Sequence, residues 1–157
     1  MSKQKVLSKS NYKLGLTCPK SLWIKIKQPE RLPEIDKGTQ RRFDEGHIIG
    51  ELAKQLYPNG IEIKSFKYND VVVDTNNLLD KRVPLFEAGF MFNDCFTRPD
   101  ILNPIGEDEW EVIEVKSGTS VKKDHIEDTS FQKYVYENCG LKIKKYYVFI
   151  RDETSLI

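Results

Sequence analysis

Apolar residues alternate with polar ones along several short segments of the chain and recur at helical spacing along longer ones. Alternation places successive side chains on opposite faces of a strand, whereas apolar residues three and four apart share one face of a helix. This pattern predicts strands at residues 61–66, 71–74, 83–92, 95–102, 110–116 and 143–151. It predicts a helical hairpin at 8–27, helices at 40–57 and 124–139, and a short helix or turn at 75–81.

Local signals mark where the predicted helices begin and end. Ser8 or Ser10 can cap the first helix, and Pro19 suits the first turn of the second because proline has no N–H to leave unpaired. Asp124 can cap the last helix, and Gly140 stands where a left-handed residue commonly follows a helix. The predicted buried face of the middle helix comprises Ile49, Leu52, Ala53 and Leu56.

The order of these elements is typical of an α/β or α+β domain, in which helices flank a mixed central sheet. The chain has 157 residues, which is enough for one domain with a real core, and nothing in it marks a second domain. We therefore expect a single domain over residues 1–157. Residues 1–31 are expected to form a basic helical N-terminal segment.

Composition restricts the setting of this domain. Hydrophobic residues make up 39% and charged residues 31% of the chain, as is usual for soluble globular proteins. No apolar run is long enough to cross a bilayer, and the basic N-terminus lacks the apolar core of a secretory signal. The three cysteines are odd in number and widely spaced, so we expect a reducing, cytoplasmic location without a membrane partner.

The net charge of +1 hides an uneven distribution. Residues 1–31 contain eight basic residues and one acid, so the rest of the chain is net acidic. A basic flank beside an acidic centre suits a protein that binds phosphates and requires cations. Taken alone, however, such a charge run is more typical of a solvated surface.

The predicted strand at 110–116 carries the most informative pattern. It is apolar on both faces for most of its length, which indicates a central, buried strand. It nevertheless ends in Glu114 and Lys116, whose side chains share one face. A buried carboxylate and a buried ammonium are costly without partners, so this pair needs a specific explanation.

Asp100 supplies that explanation if strands 95–102 and 110–116 are antiparallel neighbours, because its carboxylate then converges with that of Glu114. Two such oxygen ligands repel each other unless a cation lies between them, and Mg²⁺ favours this arrangement with several waters. Lys116 would orient or help deprotonate a water molecule on the metal and offset charge on phosphorus. Asp100, Glu114 and Lys116 are the predicted catalytic residues.

Residues on the predicted helices extend this candidate site. His47 is a third candidate metal ligand, and the flanking Gly46 and Gly50 would let its helix approach the sheet closely. Gln132 and Tyr136 lie one turn apart on the last helix. They are predicted to hold a phosphate or a base at the edge of the pocket.

Other candidate residues have simpler explanations. Glu51 and Glu87 are acids that could face the site, but a supporting structural role is more typical of such positions. His125 and Asp128 fit the first turns of a helix, where a carboxylate interacts favourably with the helix dipole. Cys18 is expected to be an ordinary buried thiol.

The motifs Pro99-Asp100, Glu114-Val115-Lys116 and Gln132-x-x-x-Tyr136, together with His47, resemble the RecB-like branch of the PD-(D/E)XK nuclease superfamily. The segment LTCPKSLW at residues 16–23 is similar to the start of the CRISPR-adaptation exonucleases of that branch. It is also similar to a related, uncharacterised bacterial family. The resemblance extends over most of the chain.

This resemblance implies a restriction-endonuclease-like core with a mixed sheet of four to five strands flanked by helices. It implies a nuclease that acts on DNA with Mg²⁺ or Mn²⁺, with exonucleolytic action on single-stranded ends as one form. It makes Lys116 the catalytic lysine and assigns Gln132 and Tyr136 to substrate orientation. The implied metal ligands are His47, Asp100, Glu114 and the carbonyl group of Val115.

One departure from the resemblance concerns cysteine. The CRISPR-adaptation exonucleases hold an iron–sulfur cluster with one N-terminal and three C-terminal cysteines. Here Cys18 matches the first, but the C-terminal set is absent because Cys139 falls inside the last predicted helix. We therefore expect no iron–sulfur cluster in this chain. Since members of that branch are often longer, a larger parent protein or a nuclease complex stays open as its setting.

Three functions remain open from the sequence. The first is a metal-dependent deoxyribonuclease, and the second is a nucleic-acid-binding module with a vestigial nuclease site. The third is a metal-binding structural domain of a larger protein. The intact set of Asp100, Glu114 and Lys116 favours the enzyme, because a simple binding module has no use for these three side chains.

Overall fold

The computed structural model describes residues 6–151 and contains two β-sheets. The larger sheet has the strand order β2 (Ile61–Glu62), β3 (Leu85–Phe86), β6 (Ile101–Ile105), β7 (Glu109–Lys116) and β8 (Lys142–Ile150). The smaller sheet has the order β1 (Leu7–Ser8), β5 (Cys95–Thr97) and β4 (Phe90–Phe92). The helices are α1 (Lys9–Thr17), α2 (Pro19–Lys27), α3 (Lys37–Lys54), α4 (Tyr68–Leu79) and α5 (Lys123–Asn138), with a short 3₁₀ helix at Pro29–Arg31. Residues 1–5 of the predicted basic segment lie outside the described residues.

The larger sheet is mixed, as the sequence predicted. Strands β2 and β3 pair in parallel, as do β7 and β8, whereas β6 pairs antiparallel with both β3 and β7. Helix α5 connects the parallel strands β7 and β8, as such strands need a crossover rather than a tight turn. The predicted fold class, a mixed α/β arrangement of five strands flanked by helices, is confirmed. None of the described helices is long and apolar enough to cross a membrane.

Strand β7 is buried on both faces, as its apolar pattern predicted. On one face, Trp110 and Val112 pack in a core cluster with Phe131 and Val135 of α5. On the other face, Ile113 belongs to a cluster that includes Ala53 of α3. Because side chains alternate along the strand, Glu114 follows Val112 toward α5.

The predicted hairpin at 83–102 is broken into two pieces that belong to different sheets. The predicted turn at Asn93 and Asp94 is confirmed, with φ values of 47° and 58°. Strands β4 and β5 flank this turn in the smaller sheet, whereas β3 and β6 continue the hairpin in the larger sheet. The break falls at Glu87, whose φ of 58° is left-handed, and near Pro99, which has no N–H to donate to a ladder. Asp100 therefore lies where the chain enters the larger sheet.

The predicted strand at 71–74 is wrong, because these residues lie within helix α4. Val71 and Thr75 are four residues apart and are both buried on the inner face of this helix. The Thr75 hydroxyl accepts a hydrogen bond of 2.8 Å from the backbone N–H of Gly89. Tertiary burial of this helical stripe thus overrides the strand preference of three consecutive valines.

The predicted buried face of the middle helix is mostly wrong. Only Ala53 of that face is buried, whereas Leu52 is 55% exposed and Leu56 is 67% exposed. Helix α3 begins at the Asp36 cap, whose carboxylate accepts a hydrogen bond from the Thr39 backbone. Trp23 of α2 is also half exposed.

The predicted helix boundaries are confirmed in three of four cases. The Ser8 hydroxyl caps α1 by accepting from the Asn11 backbone, and Pro19 begins α2. Gly140 follows α5 with a φ of 84°. The prediction that Asp124 caps α5 is wrong, because Lys122 occupies the N-cap position.

Candidate active site

The carboxylate of Glu114 is the most enclosed charged group of the candidate site, with 2% of its surface exposed. The Lys9 ammonium contacts both carboxylate oxygens, at 3.1 and 3.0 Å. The Lys116 ammonium donates to Oε2 at 2.8 Å, and the Gln132 amide donates to Oε1 at 2.7 Å. Burial alone would raise the pKa of Glu114, but these donors hold it below its usual value. Glu114 is therefore ionised, and both of its carboxylate oxygens accept hydrogen bonds.

Gln132 and Tyr136 do not lie at the edge of a pocket, and this part of the prediction is wrong. Both side chains are completely buried in the face of α5 that packs on β7. The Tyr136 hydroxyl donates to the Gln132 carbonyl oxygen at 3.0 Å, while the Gln132 amide donates to Glu114. The two residues thus orient Glu114 from the side of α5 rather than presenting polar atoms to a substrate.

Lys116 lies beside Glu114, as predicted from their shared strand face. Its ammonium is also 3.5 Å from Oδ2 of Asp128. Burial lowers the pKa of Lys116, but Glu114 and two further carboxylates raise it well above the usual lysine value. Lys116 is therefore charged at neutral pH in this arrangement, which favours an electrostatic role at the site.

Asp100 meets β7 in the way that the predicted antiparallel pairing required. Ile101 pairs with Ile113, and Oδ2 of Asp100 accepts a hydrogen bond of 2.6 Å from the backbone N–H of Val115. Burial and the nearby Glu114 carboxylate raise the pKa of Asp100 to about 7. The two acids are thus electrostatic neighbours, although Glu114 turns its oxygens toward lysines and an amide.

His47 and Asp100 line one small cavity between α3 and the sheet, with a volume of about 120 Å³. The same cavity is bordered by Val115 and by two further acids, Glu51 and Glu87. Burial raises the pKa of Glu87 above its usual value. The cavity therefore brings two acids from distant parts of the sequence, Glu87 and Asp100, to the His47 face of α3, where the Lys54 ammonium also lines it.

The glycines beside His47 do not bring α3 close to the sheet, contrary to expectation. A Cβ atom added at Gly46 or Gly50 would meet no atom within 4 Å. Both residues border the cavity. Their missing side chains leave space beside the imidazole instead of permitting close backbone packing.

The predicted set of metal ligands is only partly assembled. Within residues 6–151, no three histidine, cysteine or acidic side chains converge closely enough to hold a metal ion directly. His47 and Asp100 share the cavity with Val115, whereas the oxygens of Glu114 contact Lys9, Lys116 and Gln132. The donor chemistry of the cavity still fits Mg²⁺ or Mn²⁺, because Mg²⁺ commonly uses one or two carboxylates and retains several waters.

Lys9 and Asp128 are components of the site that the sequence did not reveal. Asp128 was expected to be an ordinary residue near the start of a helix, but it is 2% exposed and lies near three lysines. Its Oδ1 atom has no hydrogen-bond partner among the described residues. The available signal was the four-residue spacing of Asp128, Gln132 and Tyr136 along one face of α5. Lys9 offered no such signal, because 105 positions separate it from Glu114.

No family model, curated protein or solved structure matches this chain.

Replacing Gln132 with alanine should lower the free energy of unfolding by about 2–3 kcal/mol, because Glu114 and Tyr136 would both lose a buried partner. Urea denaturation would measure this change. Gln40→Ala serves as the control, since the exposed side chain of Gln40 hydrogen-bonds to the Asp44 carboxylate on the surface of α3. A Gln132→Ala protein of unchanged stability would contradict the buried positioning role.

The raised pKa of Asp100 predicts how stability changes with pH in the presence of a chelator. The usual aspartate value is 3.8, whereas the folded value is about 7. Between these values the folded protein retains a proton that the unfolded chain has lost. The free energy of unfolding should therefore fall as the pH rises from 5 to 7, by roughly 2 kcal/mol from Asp100.

Asp100→Asn should flatten this pH dependence without abolishing it, because the raised pKa of Glu87 acts in the same direction. Asp108→Asn is a suitable control, since the ion pair with Lys142 lowers the pKa of the exposed Asp108. The titration of Asp108 therefore changes stability only at pH values below the window from 5 to 7. An identical slope between pH 5 and 7 in wild type and Asp100→Asn would refute the assignment.

Proposed function

We propose that this protein is a nuclease that hydrolyses DNA phosphodiester bonds with Mg²⁺ or Mn²⁺. The observation that best supports this function is the meeting of Asp100, Glu114 and Lys116 beside a cavity lined by acids and an imidazole. Mutually repelling carboxylates of this kind are typical of sites that bind a hard cation. The similarity of these residues to the PD-(D/E)XK pattern also supports the proposal.

Several residues would hold the cation in this proposal. His47, Asp100 and Val115 border the cavity, while the acids Glu51 and Glu87 on its wall are ion-paired with Lys54 and Arg98. The cation would supply Lewis-acid stabilisation of the negative charge that develops on the phosphate. For Glu114 to become a ligand, Lys9 must release at least one of the two carboxylate oxygens that it contacts.

Lys116 has a defined part in this proposal. Its ammonium is fixed by Glu114, which is itself fixed by the buried Gln132. Because Lys116 remains charged at neutral pH, it would stabilise a phosphate anion in the transition state rather than remove a proton. Lys9 places a second ammonium in the same region and would reinforce this positive potential.

The contact between Lys9 and Glu114 also supports a second candidate function. An ammonium that neutralises Glu114 permanently would deprive a metal ion of one of its proposed ligands. The chain would then be a nucleic-acid-binding or structural domain with a vestigial nuclease site, in which the lysines serve only to bind phosphate. The two candidate functions differ in whether a divalent metal ion can displace the Lys9 ammonium from Glu114.

The nuclease proposal predicts that purified protein cleaves labelled single- or double-stranded DNA with Mg²⁺ or Mn²⁺ and that EDTA abolishes this activity. Lys116→Met should slow cleavage by about 100-fold or more, since it removes a preorganised charge from the transition state. Lys133→Met is the matched control, because the exposed Lys133 pairs with Glu137 on the surface of α5, away from Glu114. Cleavage that survives EDTA, or a full rate in Lys116→Met, would reject the mechanism.

Binding of Mn²⁺, measured by electron paramagnetic resonance or calorimetry, separates the two candidates. For a nuclease, we expect wild type to bind Mn²⁺ and Asp100→Asn to bind it more weakly. Lys9→Met should bind about tenfold more tightly, because loss of the ammonium removes both a competitor for Glu114 and a nearby positive charge. Lys13→Met is the control, since Lys13 contacts Asp124 and Asp128 instead. A vestigial site predicts no Mn²⁺ binding by wild type.

A further inference from the structure

Phe66 is the most exposed large hydrophobic side chain in the described part of the chain, with 93% of its surface accessible. It lies in the loop between β2 and α4. Isolated exposed apolar residues are common, but a phenyl ring with almost no protein contact presents both of its faces to solvent. The ring is thus available to stack against a flat partner.

This exposure does not come from a loosely attached loop. The Arg98 guanidinium donates to the carbonyl oxygens of Ile63 at 3.1 Å and Ser65 at 3.5 Å. The Ser65 hydroxyl donates to the carboxylate of Asp74 on α4. The residues immediately before Phe66 are therefore anchored to both the sheet region and a helix, which holds the ring outward.

Two lysines flank the ring in sequence. Lys64 and Lys67 are both exposed, and neither forms an ion pair within residues 6–151. By contrast, Lys54 nearby is engaged by Glu51 and Glu62. The loop thus combines an unpartnered aromatic ring with two unpaired positive charges, which suits a ligand that alternates flat apolar groups with anions.

A groove connects this loop with the candidate active site. A concave region of about 530 Å³ is bordered by Lys64, Phe66, Arg98, His47 and Glu87. The last two residues also border the smaller cavity that contains Asp100. A ligand lying against Phe66 would therefore continue directly to the proposed metal site.

We propose that Lys64, Phe66 and Lys67 form a binding track that guides single-stranded DNA into the candidate active site. One base stacks on Phe66, and the lysines contact the neighbouring phosphates. Single-stranded DNA is favoured because an interior base of a duplex already has both faces covered, whereas an unpaired base has a face free for the ring. This inference rests on the proposed nuclease function for the claim that the bound DNA leads to a catalytic site. The binding of DNA itself can be tested separately.

The test is fluorescence anisotropy of the full chain with a labelled oligothymidylate in EDTA, where the proposed cleavage is blocked. Phe66→Leu keeps an apolar side chain but loses the ring, and we expect it to weaken binding about tenfold. Phe66→Trp should bind at least as tightly as wild type. Lys64→Met and Lys67→Met should weaken binding and reduce its dependence on salt.

Tyr134→Leu is the matched control, because Tyr134 is an exposed aromatic residue of α5 that borders neither cavity. It should bind like wild type, and melting temperatures should confirm that all Phe66 variants fold.

Equal binding by Phe66→Leu and wild type, or no binding by wild type, would overturn the proposal. So would equal Phe66 dependence with blunt duplex DNA, or a Phe66-dependent preference for single-stranded RNA. Phe66-dependent binding by a protein that never cleaves DNA would support the track and refute the nuclease.

Discussion

The buried carboxylate of Glu114 is the interaction on which the candidate site depends. A charge with 2% exposure requires close partners, and Glu114 obtains them from three separate elements: Lys9 of α1, Lys116 of β7 and Gln132 of α5. Removing one partner of a buried ion pair commonly costs several kcal/mol. The same contacts that neutralise Glu114 therefore hold the N-terminal helix and the crossover helix to the end of the central strand.

A second constraint is the change of sheet within the long hairpin. The left-handed backbone of Glu87 and the proline before Asp100 end the pairing in the smaller sheet, and Asp100 begins the entry into the larger one. Because the break places Asp100 beside Val115 and Glu87 beside the cavity, the irregular backbone brings acids to this edge of the sheet.

The sequence predicted those parts of the fold and site that local patterns determine. The alternation in β7 correctly placed Glu114 and Lys116 on one face, and the hairpin turn at Asn93 was correct. It could not predict Lys9, since a contact across 105 positions leaves no local pattern. It misplaced Gln132 because helical spacing shows which residues share a face but not how deeply that face is buried.

The position of Lys9 links folding to the proposed chemistry. In the structure its ammonium supplies the positive charge that the Glu114 and Asp128 carboxylates require. A divalent cation would bring more positive charge to Glu114, so the cation and the Lys9 ammonium would compete for that carboxylate. A Lys9 ammonium displaced from Glu114 would retain its ion pair with Asp128. Oδ1 of Asp128 is 3.9 Å from this ammonium and has no hydrogen-bond partner among the described residues. Asp128 thus provides an alternative partner that would lower the cost of exchanging lysine for metal, and this would allow α1 to remain docked in either state.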